Sequence, residues 1–430
     1  MTRPRALGLL LLFACTLTLA AQPSALRTRP RIDDPNEAQN TALYVRAVQI
    51  LKARDADPAH RDDPNDPTKN GYKWFAELHN GDEFAPEAFC RHGNELFLPW
   101  HRALLVLFEQ ALQQTAPPDT LALRLPYWNW TDDPTFPAVF QSGAPLFFPG
   151  RTPGAHGRTF TTDELRQTIR STTNWSGFGG GGCSAPPSCT DGSCVSCTSR
   201  FGALESPAHN QMHNWVGGQM LNDTTAGDDY IFWSFHTYID LLYDCWQQTW
   251  DSYENGCPNC PLNQLPGWTP ARVLRASDLG YTYDFRKTPC SPAAAPATVA
   301  MKPMAAAEAV MSKPLFVDVT IPPKTFTTAH IRLAGIENLP DYNYSGRVYL
   351  FPQSVAFAPE DAAFRERYFV GDFAVWGNAG NAHAAHGGSE VTADVDATTE
   401  LAYLAKKHAG KAWRVGVAVA PPNKQTDGNS

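Results

Sequence analysis

Apolar positions follow two different rhythms along the chain. Up to about residue 290 they recur at helical spacing; beyond about residue 313 they gather in short runs broken by turn residues. The run WHRALLVLFEQALQQ sets Leu104, Leu105, Phe108 and Leu112 on one face, the period of a half-buried helix. Pro99 suits the first turn of that helix, and Pro117 with Pro118 ends it. A second helix is expected to open at Ser206 and Pro207, a capping residue followed by a first-turn proline. It carries His209 and His213. A third follows Asp228 and Asp229, runs from about Tyr230 to Trp250, and carries His236 and Asp240. The later runs PLFVDVTI, HIRLAGI, GRVYLF, YFVGDFAVW and WRVGVAVA predict an antiparallel β-sandwich. The expected order is a leader over 1–21, a mainly α domain over 22–290, an Ala/Pro-rich linker over 291–312 and the sandwich over 313–422.

Residues 1–21 have Arg3 and Arg5, an apolar stretch, then Ala20 and Ala21. That is the layout of a secretory signal peptide, and it places the protein outside the cytoplasm, secreted or periplasmic. The apolar run is short of the roughly 20 residues that span a bilayer. The net charge of −8, with no long basic run, disfavours nucleic acid and anionic membranes as partners. Ten cysteines are present. Cys15 would leave with the leader, and eight others, from Cys183 to Cys290, form an even set. In an exported chain this reads as up to four disulfides, with connectivity open. The close pairs Cys194/Cys197 and Cys257/Cys260 also have the spacing of zinc ligands. Cys90 is left over. The segment GFGGGGCSAPPSCTDGSCVSC holds no shape of its own and is expected to need cross-links. Asn174, Asn222 and Asn343 match the glycosylation pattern.

His209 and His213 lie four apart, so both rings leave one helix face. Such pairs also arise by chance. His236 adds a third imidazole, with Asp240 at i+4 placed to accept its second ring N–H. A second trio is His79, His92 and His101. Nine residues separate His92 from His101; on one helix they would point to opposite sides, so His92 is expected on the loop before the helix. Two trios of neutral imidazole suit copper. There is no thiolate ligand of the blue-copper kind in evidence. Nor is there a bridging carboxylate of the kind two-metal hydrolases use. Open positions at both metals suit dioxygen.

The runs FCRHGNELFLPWHRALLVLFEQAL, ESPAHNQMHNWVGGQM and FWSFHTYIDLLYDCWQQ resemble the type 3 copper proteins: tyrosinases, catechol oxidases and molluscan haemocyanins. The resemblance covers most of residues 70–250, with three motifs in the family's order. It implies a four-helix bundle around two copper ions, copper A on His79, His92 and His101 and copper B on His209, His213 and His236. It implies a thioether between Cys90 and His92, against the plainer reading of a free buried thiol. It implies that Glu205 and Asn210 hold a water that takes the proton of a phenol, whose pKa near 10 makes such help necessary. Glu205 also suits a helix N-terminus on charge alone. Phe235 stands where the family often has histidine, and Tyr230 where proline is common. The segment after 313 is similar to the C-terminal domain of plant polyphenol oxidases.

The implied activity is oxidation of o-diphenols to o-quinones with dioxygen, with hydroxylation of monophenols. The alternatives are a catechol oxidase without hydroxylation and a haemocyanin-like oxygen carrier. Carrier units usually come in tandem arrays, and one copy is present here. The C-terminal domain is also expected as a cover over the copper pocket, with Tyr349 or Phe351 as candidate covering side chains. His383 and His386, in NAHAAHGG, would bind a further metal or belong to a solvated loop.

Overall fold

The structure is a computed structural model. It describes residues 26–290 except 61–62, 64–65, 82–89, 191, 253–255 and 286–287; of the remainder it describes 315–320, 330–337, 342–375, 390–397, 401, 404, 408, 410–419 and 423–424. The leader, the linker, His383 and His386 fall outside the described residues.

A short strand β1 (Arg27–Arg29) leads into α1 (Ala38–Arg54), which buries Tyr44, Ala47, Val48 and Leu51, one stripe at helical period. Next come α2 (Tyr72–Asn80) and α3 (Phe97–Gln113). On α3 the predicted face Leu104, Leu105, Phe108 and Leu112 is buried, each such side chain contributing about 1.5–3 kcal/mol. Helix α3 begins two residues before Pro99, so His92 sits on the preceding loop and His101 in an early turn. Helices α4 (Thr162–Ser171) and α5 (Trp175–Gly179) precede the paired strands β2 (Cys183–Ser184) and β3 (Ser196–Cys197).

The second predicted helix departs from expectation. A π-helical turn occupies Leu204–His209, and regular helix, α6 (Asn210–Val216), starts only at Asn210. Ser206 is extended (φ −126°, ψ 123°) and makes no cap. Its hydroxyl donates elsewhere, to Ala374 O at 2.9 Å. Helix α7 (Ile231–Trp250) matches the third prediction, and Asp229 Oδ1 accepts from Ile231 N at its start, 3.1 Å. Strand β4 (Tyr281–Tyr283) pairs in parallel with β1 and closes the helical core. Helix α3 packs on α1, α2 and α7, and α4 on α7. Phe108 stacks on Trp233 at 3.6 Å between ring centroids.

Four disulfides join Cys183–Cys197, Cys189–Cys194, Cys245–Cys290 and Cys257–Cys260. Cys90 is the free cysteine among the described residues. Cys194 and Cys197 have separate partners, so that spacing is not a zinc clip. Asn222 is buried and does not present a glycan site. Replacing Cys245 by serine reopens the loop to Cys290, 45 residues on. Chain entropy alone predicts a loss of about 4 kcal/mol, to be measured as a lowered urea midpoint relative to the oxidised wild type.

The C-terminal part is a β region. Strands β5 (Leu315–Thr320), β6 (His330–Glu337) and β7 (Tyr342–Pro352) are followed by α8 (Ala362–Tyr368), β8 (Phe369–Val375), β9 (Glu390–Asp396), β10 (Ala412–Val419) and β11 (Asn423–Lys424). One five-stranded sheet runs β11–β7–β10–β5, with β8 also on β7; β6 and β9 form a separate pair. All these pairings are antiparallel. Val348, Leu350, Phe373, Val375 and Trp413 form its core, joined by Phe201 from the helical part. Gly346 is needed there, because a Cβ would stand 2.3 Å from the Phe373 ring.

Candidate metal centre

The six predicted histidines come together from separate stretches of the chain. His79 ends α2, His92 lies on the loop before α3, His101 sits on α3, His209 closes the π-turn, His213 is on α6 and His236 on α7. All are buried. Donor atoms of His79, His92, His101 and Cys90 lie within 4.8 Å of one another, as do those of His209, His213 and His236. The trios adjoin: the rings of His101 and His236 stack at 4.4 Å, and His92 and His209 at 5.5 Å.

Most rings are oriented through the nitrogen that does not face the centre. His101 Nδ1 donates to Phe97 O and His213 Nδ1 to Met220 O, both at 2.8 Å. His92 Nδ1 lies 2.9 Å from Glu205 Oε1, and His209 Nδ1 lies 2.8 Å from Asn210 Oδ1. His79 Nδ1 is 3.2 Å from Asn80 Oδ1. Fixing Nδ1 as the proton-bearing atom leaves Nε2 with a free lone pair. His101 Nε2 is buried and has no hydrogen-bond partner among the described residues, and His213 Nε2 comes to 3.3 Å from His236 Nε2. Burial pushes the His79 pKa down to about 4. Burial and the neighbouring imidazoles hold His92, His101, His209, His213 and His236 well below the ordinary value. Neutral imidazole is the metal-binding form, so the residues present fit a pair of nitrogen-liganded metal ions.

Several outer contacts differ from expectation. Asp240 does not reach His236, whose Nδ1 has no hydrogen-bond partner among the described residues. Its Oδ1 instead takes Arg102 Nε at 2.5 Å, and its Oδ2 takes Tyr281 OH, Tyr283 OH and Arg29 Nη1 at 2.7, 2.6 and 3.2 Å. Two guanidinium groups and two phenols outcompete one imidazole for that carboxylate. Glu205 Oε1 accepts from His92 and from Gly93 N at 2.8 Å, a turn that Gly93 permits at φ +64°. Burial raises the Glu205 pKa well above the carboxylate range. Asn210 makes no direct bond to Glu205; its Nδ2 donates to Ala374 O at 3.1 Å.

Apolar rings wall the centre. Phe97 packs on His92, His101 and His209 at 5.2, 4.7 and 4.7 Å, and Phe232 on His79 and His236 at 4.5 and 4.3 Å. Phe235 packs on His213 at 4.7 Å and stacks on Trp130 at 4.7 Å. Tyr349 and Phe351 do not cover the centre. They sit in a separate aromatic cluster with Phe357 and Phe364 inside the β region. The segment that meets the π-turn and α6 is β8. Phe97 and Phe232 stand four residues before His101 and His236 on the same helices, a spacing that marks them as neighbours; no sequence pattern marks Ala374, which comes from a distant segment.

The family model for the common central domain of tyrosinase matches residues 69–153 and 151–249. The tyrosinase of Streptomyces lincolnensis is 32% identical over 183 residues, 36% of this chain and 64% of that protein. That of Streptomyces glaucescens is 31% identical over 207 residues, 41% of this chain and 72% of that protein. The structure of latent apple tyrosinase superposes with a TM-score of 0.63 at 21% identity, over 93% of this chain and 95% of that one. A functional unit of octopus haemocyanin superposes with a TM-score of 0.56 at 16% identity, over 92% and 98%. The chain therefore spans just under two thirds of the first relative, and its fold is shared by oxidases and an oxygen carrier. No helix among the described residues is long and apolar enough to cross a membrane. With six imidazoles in two trios on the motifs that this central domain covers, the chain belongs to the tyrosinase family of type 3 copper proteins.

Proposed function

We propose that this protein is an exported dicopper oxidase that converts o-diphenols to o-quinones with dioxygen and hydroxylates monophenols. The observation that carries the reading is the pair of adjoining, buried imidazole trios. His79, His92 and His101 would hold copper A, and His209, His213 and His236 copper B; Cys90 would be joined to His92 as a thioether. The helices bearing these ligands would form the family's four-helix bundle, and the β region its sandwich. When bound, the copper pair supplies paired one-electron redox chemistry and activation of dioxygen.

The protein's own groups set the rest. Phe97, Phe232 and Phe235 exclude water and leave an apolar wall for an aromatic ring. Glu205 holds His92 through Oε1, while its buried Oε2 has no hydrogen-bond partner among the described residues. That oxygen is placed to take a phenol proton, directly or through a water shared with Asn210. A second reading, diphenol oxidation alone, is favoured by the Asn210 amide being held on Ala374 O.

The test is reconstitution of the purified full chain with copper, then tyrosine and, separately, a catechol, beside a copper-free control. Quinone from both substrates is the expected outcome. Quinone from the catechol alone supports the second reading; reversible oxygenation without turnover would mean a carrier.

A further inference from the structure

Strand β8 presents one carbonyl to the segment that carries the copper B histidines. Ala374 O accepts from Ser206 Oγ at 2.9 Å and from Asn210 Nδ2 at 3.1 Å. The two donors flank His209, and Ser206, Asn210 and Ala374 are all buried. The Asn210 amide has two ends with opposite chemistry. Its Oδ1 faces His209 Nδ1 at 2.8 Å. A carbonyl can only accept, so Ala374 O fixes the NH2 end toward itself and the oxygen toward the imidazole N–H. Turned over, the amide would set donor against donor and oxygen against oxygen among buried atoms.

The strand is itself anchored on the helical core. Both carboxylate oxygens of Asp372 engage Arg158, one on Nε and one on Nη2 at 3.1 Å. Arg158 also bonds Glu164 at 2.8 Å and lies over the Phe160 ring at 4.0 Å. Phe201 of the helical part also joins the core of the β region. The copper A trio is linked to β8 less directly: Asn80 and Phe97 belong to the helical core, and Glu205, which holds His92, reaches β8 through its neighbour Ser206 in the π-turn.

We infer that the C-terminal β region is a positioning element for copper B: docking of β8 sets the Asn210 amide and through it the His209 ring, so docking and metal retention at His209, His213 and His236 are coupled. This rests on reading those three histidines as ligands of one metal. The coupling is reciprocal by linkage. Metal at the trio tightens β8, and a docked β8 slows metal loss from that trio most.

The experiment uses the full chain loaded with copper. In the wild type, amide hydrogen exchange in 369–375 should slow on copper loading. Arg158→Glu sets a like charge against Asp372 and weakens the docking; a chelator should then withdraw one copper about tenfold faster, the scale on which outer ligand partners act, while the rate for the other changes less. Should that variant fail to fold, Arg158→Gln and the wild-type exchange measurement carry the test. A chain that takes up no copper pair overturns the ligand reading, and the inference with it. A chain that takes up two, but with exchange in 369–375 indifferent to copper or with both coppers lost at equal rates from the folded variant, overturns the inference alone.

Discussion

His213→Ala should leave the protein with one copper instead of two and bring quinone formation to background. The ring of His213 is held by its Nδ1–H on Met220 O, at 2.8 Å, and its Nε2 meets His236 Nε2 at 3.3 Å. Removing it leaves two imidazoles where three converge. Losing an outer hydrogen-bond partner of a ligand typically costs 10–100-fold in metal affinity, and losing the ligand itself costs more. The oxidation uses both metals, so activity disappears with the second copper. Elemental analysis of folded protein reads the metal; the catechol assay reads the activity. A variant that kept two coppers and its oxidation rate would remove the basis of the proposed function.

Asp240→Ala should lower the unfolding free energy by about 3–5 kcal/mol, the cost of stripping one partner from a buried ion pair. Arg29 and Arg102 have no exposed side-chain surface, and both direct a guanidinium nitrogen at Asp240, Arg29 also at Glu109 Oε2 at 2.5 Å. Burial by itself would raise the Asp240 pKa, but Arg102, Arg29, Tyr281 and Tyr283 hold it below the ordinary carboxylate value. Its contribution is therefore present at neutral pH and lost in acid, as the pH falls through that depressed value. The same carboxylate ties β1, β4, α3 and α7 together, and α3 and α7 carry His101 and His236. Loss of copper affinity should accompany the loss of stability. Urea unfolding of the copper-free protein separates the two effects, and a change within about 1 kcal/mol would show that the network is not a structural anchor.

The two imidazole trios were legible in the chain because each member is a chemical type at a constrained spacing. His209 and His213 share a face by helical period, and the nine-residue gap put His92 on a loop and His101 on α3, as the structure has them. The apolar period gave α3 and α7 nearly to the residue. Helix α2, which carries His79, was not anticipated: nine residues with few long-range signals make a weak pattern. The π-turn at Leu204–His209 was read as the start of a regular helix, since Ser-Pro is a good opening locally. In the structure Ser206 is extended and its hydroxyl bonds Ala374 O instead of capping a helix.

Asp240 shows the same division. Its place one turn beyond His236 is a fact of sequence; its partners are not. Which neighbour wins a buried carboxylate depends on how many charged donors the fold delivers, and Arg29 arrives from more than two hundred residues away. The sequence by itself determined the two imidazole trios, the cysteine-rich character and the passage from helices to strands, because these follow from residue type and period. The tertiary structure alone decided how the ligand rings are oriented, which cysteines pair, and that a C-terminal carbonyl rests on Asn210. Those outcomes depend on donors and acceptors that meet only when distant segments pack and water is excluded.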